Sequence, residues 1–527
     1  MKKVRFDRLA GGAAWNIAGK VVQTVVTLAT LVVIARMVGP QAYGVFALTW
    51  ITVGLIEIFA MMAPIDTLVQ RRELKPGHLN ATFWASLVAG VLGLACLTFT
   101  AESVAELLEG GTMLAEILPA RAATLPLGAL AVVPIALLMR VARFKAIAAV
   151  ESSASVAASI VGLAFAFGGA GVWSLVAMEL TRSVATAASA FVLARWTPGI
   201  RMRQSDFTDL LGFNASTWGA WGITYLDDEL PRALIARSLG PVAVGLYSMA
   251  MRLFDQVVTL LIRPAYQVVQ TGAARAQDDP AMVGELAHGT MRASVVLAAP
   301  LFLGIAAISP VLIPAVFGSE WVGAVPVIQV MMLFAIRSPV PMVQMAVLRG
   351  MGKANWHMGI AAVGVCITIV VLAVSLPYGL VAVAAAIGAQ GALLFPLHAW
   401  LVRRLTGLSV FAQLTAGFGA SVAAAVMAVA VWGALSWLEG TVGPVVALAI
   451  AVPGGAILYW AVLRVFSRSA ARVVDAVVFA LARRDIAAAR AALQDPVSPA
   501  APPSPAAAAN PTASTGPATP HTGVGSA

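Results

Sequence analysis

Charge is what this chain has least of. Only 11% of its 527 residues are charged and 60% are hydrophobic, where a soluble domain would carry about 25% charged residues. The mean hydropathy is +0.89. A water-soluble protein is excluded, and the chain reads as an integral membrane protein. Cysteine is nearly absent. Cys96 and Cys366 both sit in apolar stretches, which excludes a disulfide framework and a cysteine metal site. The five histidines are scattered, with no two at ligand spacing. A Gly-rich phosphate loop, a Ser/His/Asp set at shared depth and a metal motif are all missing. ATP hydrolysis is therefore not expected, the chain does not read as an enzyme, and no cofactor is implied. A secretory signal peptide is missing too, since the first apolar stretch is too long and has no cleavage site.

Long apolar runs are abundant. A helix needs about 20 mostly apolar residues to cross the hydrocarbon core. Fourteen segments qualify: 12–35, 42–64, 81–100, 122–139, 147–168, 171–193, 212–236, 243–264, 293–317, 325–348, 355–376, 379–401, 413–437 and 443–463. The fourth is interrupted at its start by Pro119 and Pro126. The connections alternate in charge. Of the 34 basic residues, 26 fall in the N-terminus, the even-numbered connections and the segment after the last span, and only Arg36, Arg121 and Arg237 in the odd-numbered ones. The connection after span three is acidic, with Glu102, Glu106, Glu109 and Glu116. The positive-inside rule then puts both termini in the cytoplasm and the 101–121 loop outside. It also explains the net charge of +10 as a topology signal, so no nucleic-acid partner is expected.

One segment occurs twice. IARMVGPQAYGVFALT (34–49) and IARSLGPVAVGLYSMA (235–250) share seven of sixteen positions at an offset of 201. Six spans separate the copies, so they point the same way across the membrane. That is a parallel repeat, related by an axis along the membrane normal. The expected fold is all-α, with about 14 transmembrane helices in two six-helix lobes plus two C-terminal helices. The N-lobe is 1–194, the cytoplasmic linker 195–211, the C-lobe 212–403, and the added spans lie in 404–466. Residues 467–494 alternate basic and apolar positions at helical spacing, as in a helix lying on the cytoplasmic leaflet or packed on loops. The Pro/Ala-rich stretch 495–527 cannot build a core and reads as a disordered tail.

Ionisable residues inside spans are costly, roughly 2.5–3.5 kcal/mol each at a helix centre, so each should face a partner or a water-filled cavity. They are Lys20, Glu57, Glu179, Arg182, Asp227, Asp228, Glu229, Arg232, Arg252, Asp255 and Arg337. Most fall in spans 1, 2, 7 and 8, equivalent pairs in the two lobes. Several can neutralise themselves along one helix: Glu179–Arg182, Asp228–Arg232 and Arg252–Asp255. Lys20 and Glu57 can pair across spans 1 and 2. Asp227, Glu229 and Arg337 show no obvious partner within their own helices. Adjacent Asp227 and Asp228 point about 100° apart, so at least one should face the interior.

Further stretches carry a resemblance. ARMVGPQAYGVFAL (35–48), TLVQRRELKPGHLNATFW (67–84), ARSLGPVAVGLYSMAMRLF (236–254), VVQTGAARAQDD (268–279) and SPVPMVQMAVLRGMGKANW (338–356) resemble, in order and spacing, the Wzx-type polysaccharide flippases of the multidrug/oligosaccharidyl-lipid/polysaccharide exporter superfamily. The likeness covers roughly 1–465. It implies a protein of the inner membrane that moves polyprenyl-diphosphate-linked oligosaccharide units between leaflets, for exopolysaccharide, capsule or O-antigen synthesis. It implies alternating access driven by H+ or Na+, with membrane lipids, a polymerase and chain-length or export proteins as partners. Where relatives often have Asp before the LIGR-like stretch, this chain has Pro231, and its acids lie three or four residues earlier. On this reading Arg337, Lys20, Arg252 and Arg232 would meet the diphosphate. Asp227, Asp228, Glu229, Asp255 and Glu57 would couple the ion. A multidrug or small-molecule exporter and a peptidoglycan-precursor flippase are the related alternatives. A polysaccharide polymerase or glycosyltransferase is a further alternative, against which stands the short, acidic outside loop.

Overall fold

In hydrocarbon every backbone N–H and C=O must be satisfied within its own segment, so apolar runs of this length become helices. The computed structural model describes the backbone of residues 6–71, 73–467 and 470–475, and their side chains apart from 6–25, 209–217 and the single positions 28, 220, 354, 357 and 439. No strand occurs among the described residues. The helices are α1 (Phe6–Glu57), α2 (Ala63–Gln70), α3 (Pro76–Phe99), α4 (Ala101–Leu107), α5 (Gly111–Ala122), α6 (Thr124–Arg140), α7 (Phe144–Phe167), α8 (Trp173–Ala194) and α9 (Gln204–Val257). There follow α10 (Arg263–Arg275), α11 (Pro280–Phe317), α12 (Ala324–Ala335), α13 (Pro339–Gly350), α14 (Ala354–Ser375), α15 (Leu380–Thr406), α16 (Val410–Thr415), α17 (Phe418–Val442) and α18 (Pro444–Phe466). The tail 495–527 and most of the 467–494 segment lie outside the described residues, as does the Lys20 side chain.

Among the described residues, eleven helical segments are long and apolar enough to span a membrane. The bent pair α12 and α13, meeting at 51°, makes up to twelve. This is fewer than the fourteen runs of the sequence because two pairs of runs are continuous here, as Ala29–Gln70 and Trp221–Arg275. Each of these is broken at one residue. Gly39 in α1 has φ 75°, ψ 169°, and Gly240 in α9 has φ 79°, ψ 176°. An L-residue with a side chain is strained at such a φ, and glycine is not. Pro40 and Pro241 follow directly and have no N–H to bond back into the preceding helix. The two breaks are the same residues of the repeated segment. The likeness continues with a single π-helical turn after each, Ile58–Met62 and Val258–Ile262.

A second difference concerns residues 101–121. The sequence suggests a loop, but Gly111–Arg140 forms one segment of spanning length. Pro119 lies within α5 and Pro126 within the first turn of α6. A first-turn proline forfeits no intrahelical bond, so Pro126 does not end the span, and Pro119 is carried inside α5 near its C-terminal end. Arg121 is thereby drawn out of the loop and buried, at 5% exposure.

The connections gather at two ends. At one, Arg36 donates to the Ala315 carbonyl at 3.1 Å, Trp321 Nε1 to the Ala35 carbonyl at 3.1 Å, and Arg237 pairs with Glu109 at 2.7 Å. At the other, Asn80 donates to the Arg201 carbonyl at 2.9 Å, Trp84 to that of Gly199 at 3.0 Å, and Gln277 to that of Gly350 at 2.8 Å. Contacts therefore join odd connections to odd and even to even, as a spanning bundle requires. The largest buried cluster draws on both halves of the chain, including Ile34, Phe46 and Leu118 with Ile235, Phe302 and Trp321.

Candidate functional site

The second half of the chain holds a cavity of about 540 Å³. Spans rich in Ala, Val and Met build its wall, with Met251, Phe254, Phe334 and Phe395 facing it. Into this apolar chamber project Asp227, Asp228, Arg337, Thr368 and Gln390. Both acids of the adjacent pair reach it, although they leave the helix about 100° apart. Asp228 is exposed and Asp227 half-buried.

Asp227 is held by a polar set from three helices. Thr368 of α14 donates to its Oδ1 at 3.3 Å, and Gln390 of α15 donates to Thr368 Oγ1 at 2.7 Å and to the Gly364 carbonyl at 3.1 Å. Neither Thr368 nor Gln390 was singled out from sequence. The signal was there: each is a polar residue in an otherwise apolar run. A carboxylate beside a hydroxyl oxygen supplies hard oxygen donors, suited to a proton or a small cation.

Arg337 occupies the break between α12 and α13. Its guanidinium donates to the carbonyls of Ala416 (3.0 Å), Leu414 (2.6 Å) and Gln413 (3.3 Å). These are the unsatisfied carbonyls at the end of α16, where a cation also meets the negative end of the helix dipole. Gln344 fastens the same helix by donating to Gln413 Oε1 at 2.8 Å. Arg337 forms no ion pair with Asp228 or Asp255 among the described residues. Three of the five guanidinium N–H groups are used, and two remain beside the cavity.

Other sequence expectations need correction. Glu229 has a partner on its own helix after all: it binds Arg232 three residues on. The sequence spacing also allowed Asp228 to pair with Arg232 four residues on, and spacing alone could not choose. The Arg232 guanidinium lies 5.9 Å from the Trp50 ring centroid. Glu57 stands 3.6 Å from Arg121, whose guanidinium also reaches Thr124. Arg121 was missed because it was counted as a loop residue. Glu179 and Arg182 do pair, at 3.4 Å, and Arg182 reaches Ser155 at 3.3 Å. Arg252 and Asp255 form no ion pair among the described residues. Asp255 is exposed, and Arg252 Nε is buried without a hydrogen bond. Of the proposed ion-coupling residues, only Asp227 and Asp228 face the cavity. Glu57 belongs to a separate cluster in the first half. No group of three or more His, Cys, Asp or Glu able to hold a metal occurs among the described residues.

Three comparisons bear on this arrangement. A family model described as "Polysaccharide biosynthesis protein" matches residues 33–326. The succinoglycan biosynthesis transport protein ExoT of Rhizobium meliloti is 22% identical over 319 residues, 60% of this chain and 64% of that protein. The matched part thus spans under two thirds of ExoT. The lipopolysaccharide biosynthesis protein WzxC of Escherichia coli is 21% identical over 365 residues, 65% of this chain and 71% of that protein. Among solved structures, the lipid II flippase MurJ in an inward closed conformation superposes with a TM-score of 0.67 at 12% identity, over 85% of this chain and 99% of MurJ. An inward-facing multidrug resistance transporter of the MATE family gives 0.55 at 14% identity, over 73% and 95%. At those identities the likeness is one of fold.

Proposed function

The chain belongs to the polysaccharide biosynthesis protein family, by a match that covers more than half its length, and from that premise we propose that it flips polyprenyl-diphosphate-linked oligosaccharide units across the cytoplasmic membrane. The observation that carries the reading is the charged cavity in an otherwise apolar bundle. Polar sugars and a diphosphate cannot shed their hydration into hydrocarbon. A pathway with fixed polar groups replaces that hydration while the polyprenyl tail stays in lipid. The names of ExoT and WzxC point to the same class of cargo.

The lobes and span count complete this reading. Gly39 and Gly240 each end one span and start the next, so the two broken segments become four, and with the bent pair counted as one span the total is fourteen. Spans 1–6 then form the N-lobe and spans 7–12 the C-lobe, with the termini cytoplasmic. Asp227, with Thr368 and Gln390, is the coupling site for H+ or Na+, and Asp228 faces the same cavity. Arg337 offers its two remaining N–H groups to the diphosphate, and of the candidate cations Arg252 is the other described one that forms no ion pair. Arg232 is engaged by Glu229 and serves the helix instead.

The test is genetic. In cells lacking the chain, lipid-linked units should collect on the cytoplasmic leaflet and polymer should vanish. Restoration by the wild-type chain and failure by Asp227→Asn at equal membrane abundance is the expected result. Normal polymer in the deletion strain would refute the assignment.

A further inference from the structure

The repeated segment does more than betray an ancestral duplication, because its two copies touch each other. A Cβ built on Gly44 would overlap the carbonyl oxygen of Pro241, and one built on Gly245 would overlap that of Pro40. The contacts are reciprocal. Each glycine stands four residues after its proline, and each meets the other copy's proline. Such a self-complementary pair is what a two-fold axis produces, here running between the halves of one chain.

The rest of each copy repeats the exchange less exactly. Arg36, in the first copy, donates to the carbonyls of Ala315 (3.1 Å) and Val316 (3.4 Å) at the end of α11, in the second half. Its counterpart Arg237, in the second copy, pairs with Glu109 of the first half at 2.7 Å. Trp321 Nε1 donates to Ala35, and Trp321 packs edge-on against Tyr43 with centroids 5.6 Å apart. Every partner comes from the odd-numbered connections or the span ends beside them. The whole seam therefore sits at one end of the bundle.

We propose that this seam is the outer gate of the pathway: the two copies of the repeat close the extracytoplasmic end against each other and must part for the cargo to leave. The inference rests on the proposed flippase reading and its orientation. The seam is suited to opening. At its centre is glycine against backbone carbonyl, a contact with no side chains to disentangle. At its edge are exposed charges, Arg237 at 61% and Glu109 at 51% side-chain exposure, whose pairing in water is weak and reversible. The breaks at Gly39 and Gly240 let each copy tilt without straining the helix that precedes it. The seven identities between the copies include both breaks, both facing glycines and both arginines, so the repeat retains the residues that the seam uses.

The test uses the full chain with Cys96→Ser and Cys366→Ser. Glu109→Cys and Arg237→Cys are then joined by a short, reducible bis-methanethiosulfonate reagent added from outside. We expect efficient bridging, arrest of polymer export, and recovery after reduction. Full export with the bridge in place would overturn the proposal, and so would failure to bridge while each cysteine alone is labelled from outside. The glycines give a second measurement that needs no transport. Overpacking a tight contact shifts an equilibrium by about tenfold or more. Gly44→Ala or Gly245→Ala should therefore cut the bridging rate by about that factor at matched membrane abundance. An unchanged rate in both variants would overturn the claim that the glycine contacts hold the gate shut. Labelling of Glu109→Cys only from the cytoplasm would refute the orientation instead, which separates the two failures.

Discussion

Removing Arg121 should unfold the first half of the chain more readily than any surface change, and the size of the effect can be worked out. Arg121 is 6% exposed at its side chain and Glu57 is 26% exposed, with 3.6 Å between charged atoms. At an effective dielectric near 20, that separation corresponds to an attraction of about 4–5 kcal/mol, against which the desolvation of both groups is set. Arg121→Leu removes the attraction and leaves Glu57 to bear its desolvation alone. Breaking a buried pair from one side costs about 3–5 kcal/mol, and a lone acid at a helix centre costs a similar amount on the insertion scale. A loss of about 3 kcal/mol lowers the folded-to-unfolded ratio by more than a hundredfold. Heating detergent-solubilised protein and measuring the fraction that remains monodisperse would report it. Glu57→Gln/Arg121→Leu removes both charges and should recover most of the lost stability, a coupling of roughly 2 kcal/mol or more in a double-mutant cycle. If Arg121→Leu melts with the wild type, or if the double variant is no better than the single one, the pair is not what holds these helices.

Further expectations concern the cavity and the ends. Arg337→Ala should abolish polymer export while the protein still inserts, and Arg337→Lys should restore only part of it, because an ammonium keeps the charge and loses the fork. Polymer yield at matched expression checks both. Thr368→Val should weaken ion dependence of transport by about tenfold, as loss of one hydrogen bond to a charged group costs about 1.5–3 kcal/mol. An unchanged ion titration would remove Thr368 from the coupling site. Cysteines placed at Glu109 and Gln204 should be labelled from opposite sides of the membrane. Labelling from one side would break the topology.

Much of the fold is legible in the sequence because the bilayer imposes it. Apolar runs, basic connections and the repeat all follow from insertion energetics, and they recover the helices and the grouping of their connections into two sets. What escapes is long-range placement. The bond from Arg337 to the end of α16 joins residues more than seventy positions apart, and no periodicity announces it. Asp227 was visible as a costly charge, but Thr368 and Gln390 were not, since uncharged polar residues in a span cost less and draw less notice. The Glu57–Arg121 pair was hidden by two prolines that look like breaks, although one lies in a first turn and the other is carried within α5. The repeat was visible as letters, yet only the structure shows that Gly44 and Gly245 each face the other copy's proline.

The central claim is that this chain moves a lipid-linked oligosaccharide from one leaflet to the other. The direct measurement is reconstitution of purified protein in vesicles with a fluorescent polyprenyl-diphosphate oligosaccharide, reading which leaflet exposes the sugar to an impermeant lectin or quencher. The account predicts leaflet exchange that rises with an imposed H+ or Na+ gradient and falls to the level of empty vesicles in Asp227→Asn. Exchange equal to that of empty vesicles for the wild-type protein, under either gradient, would contradict it.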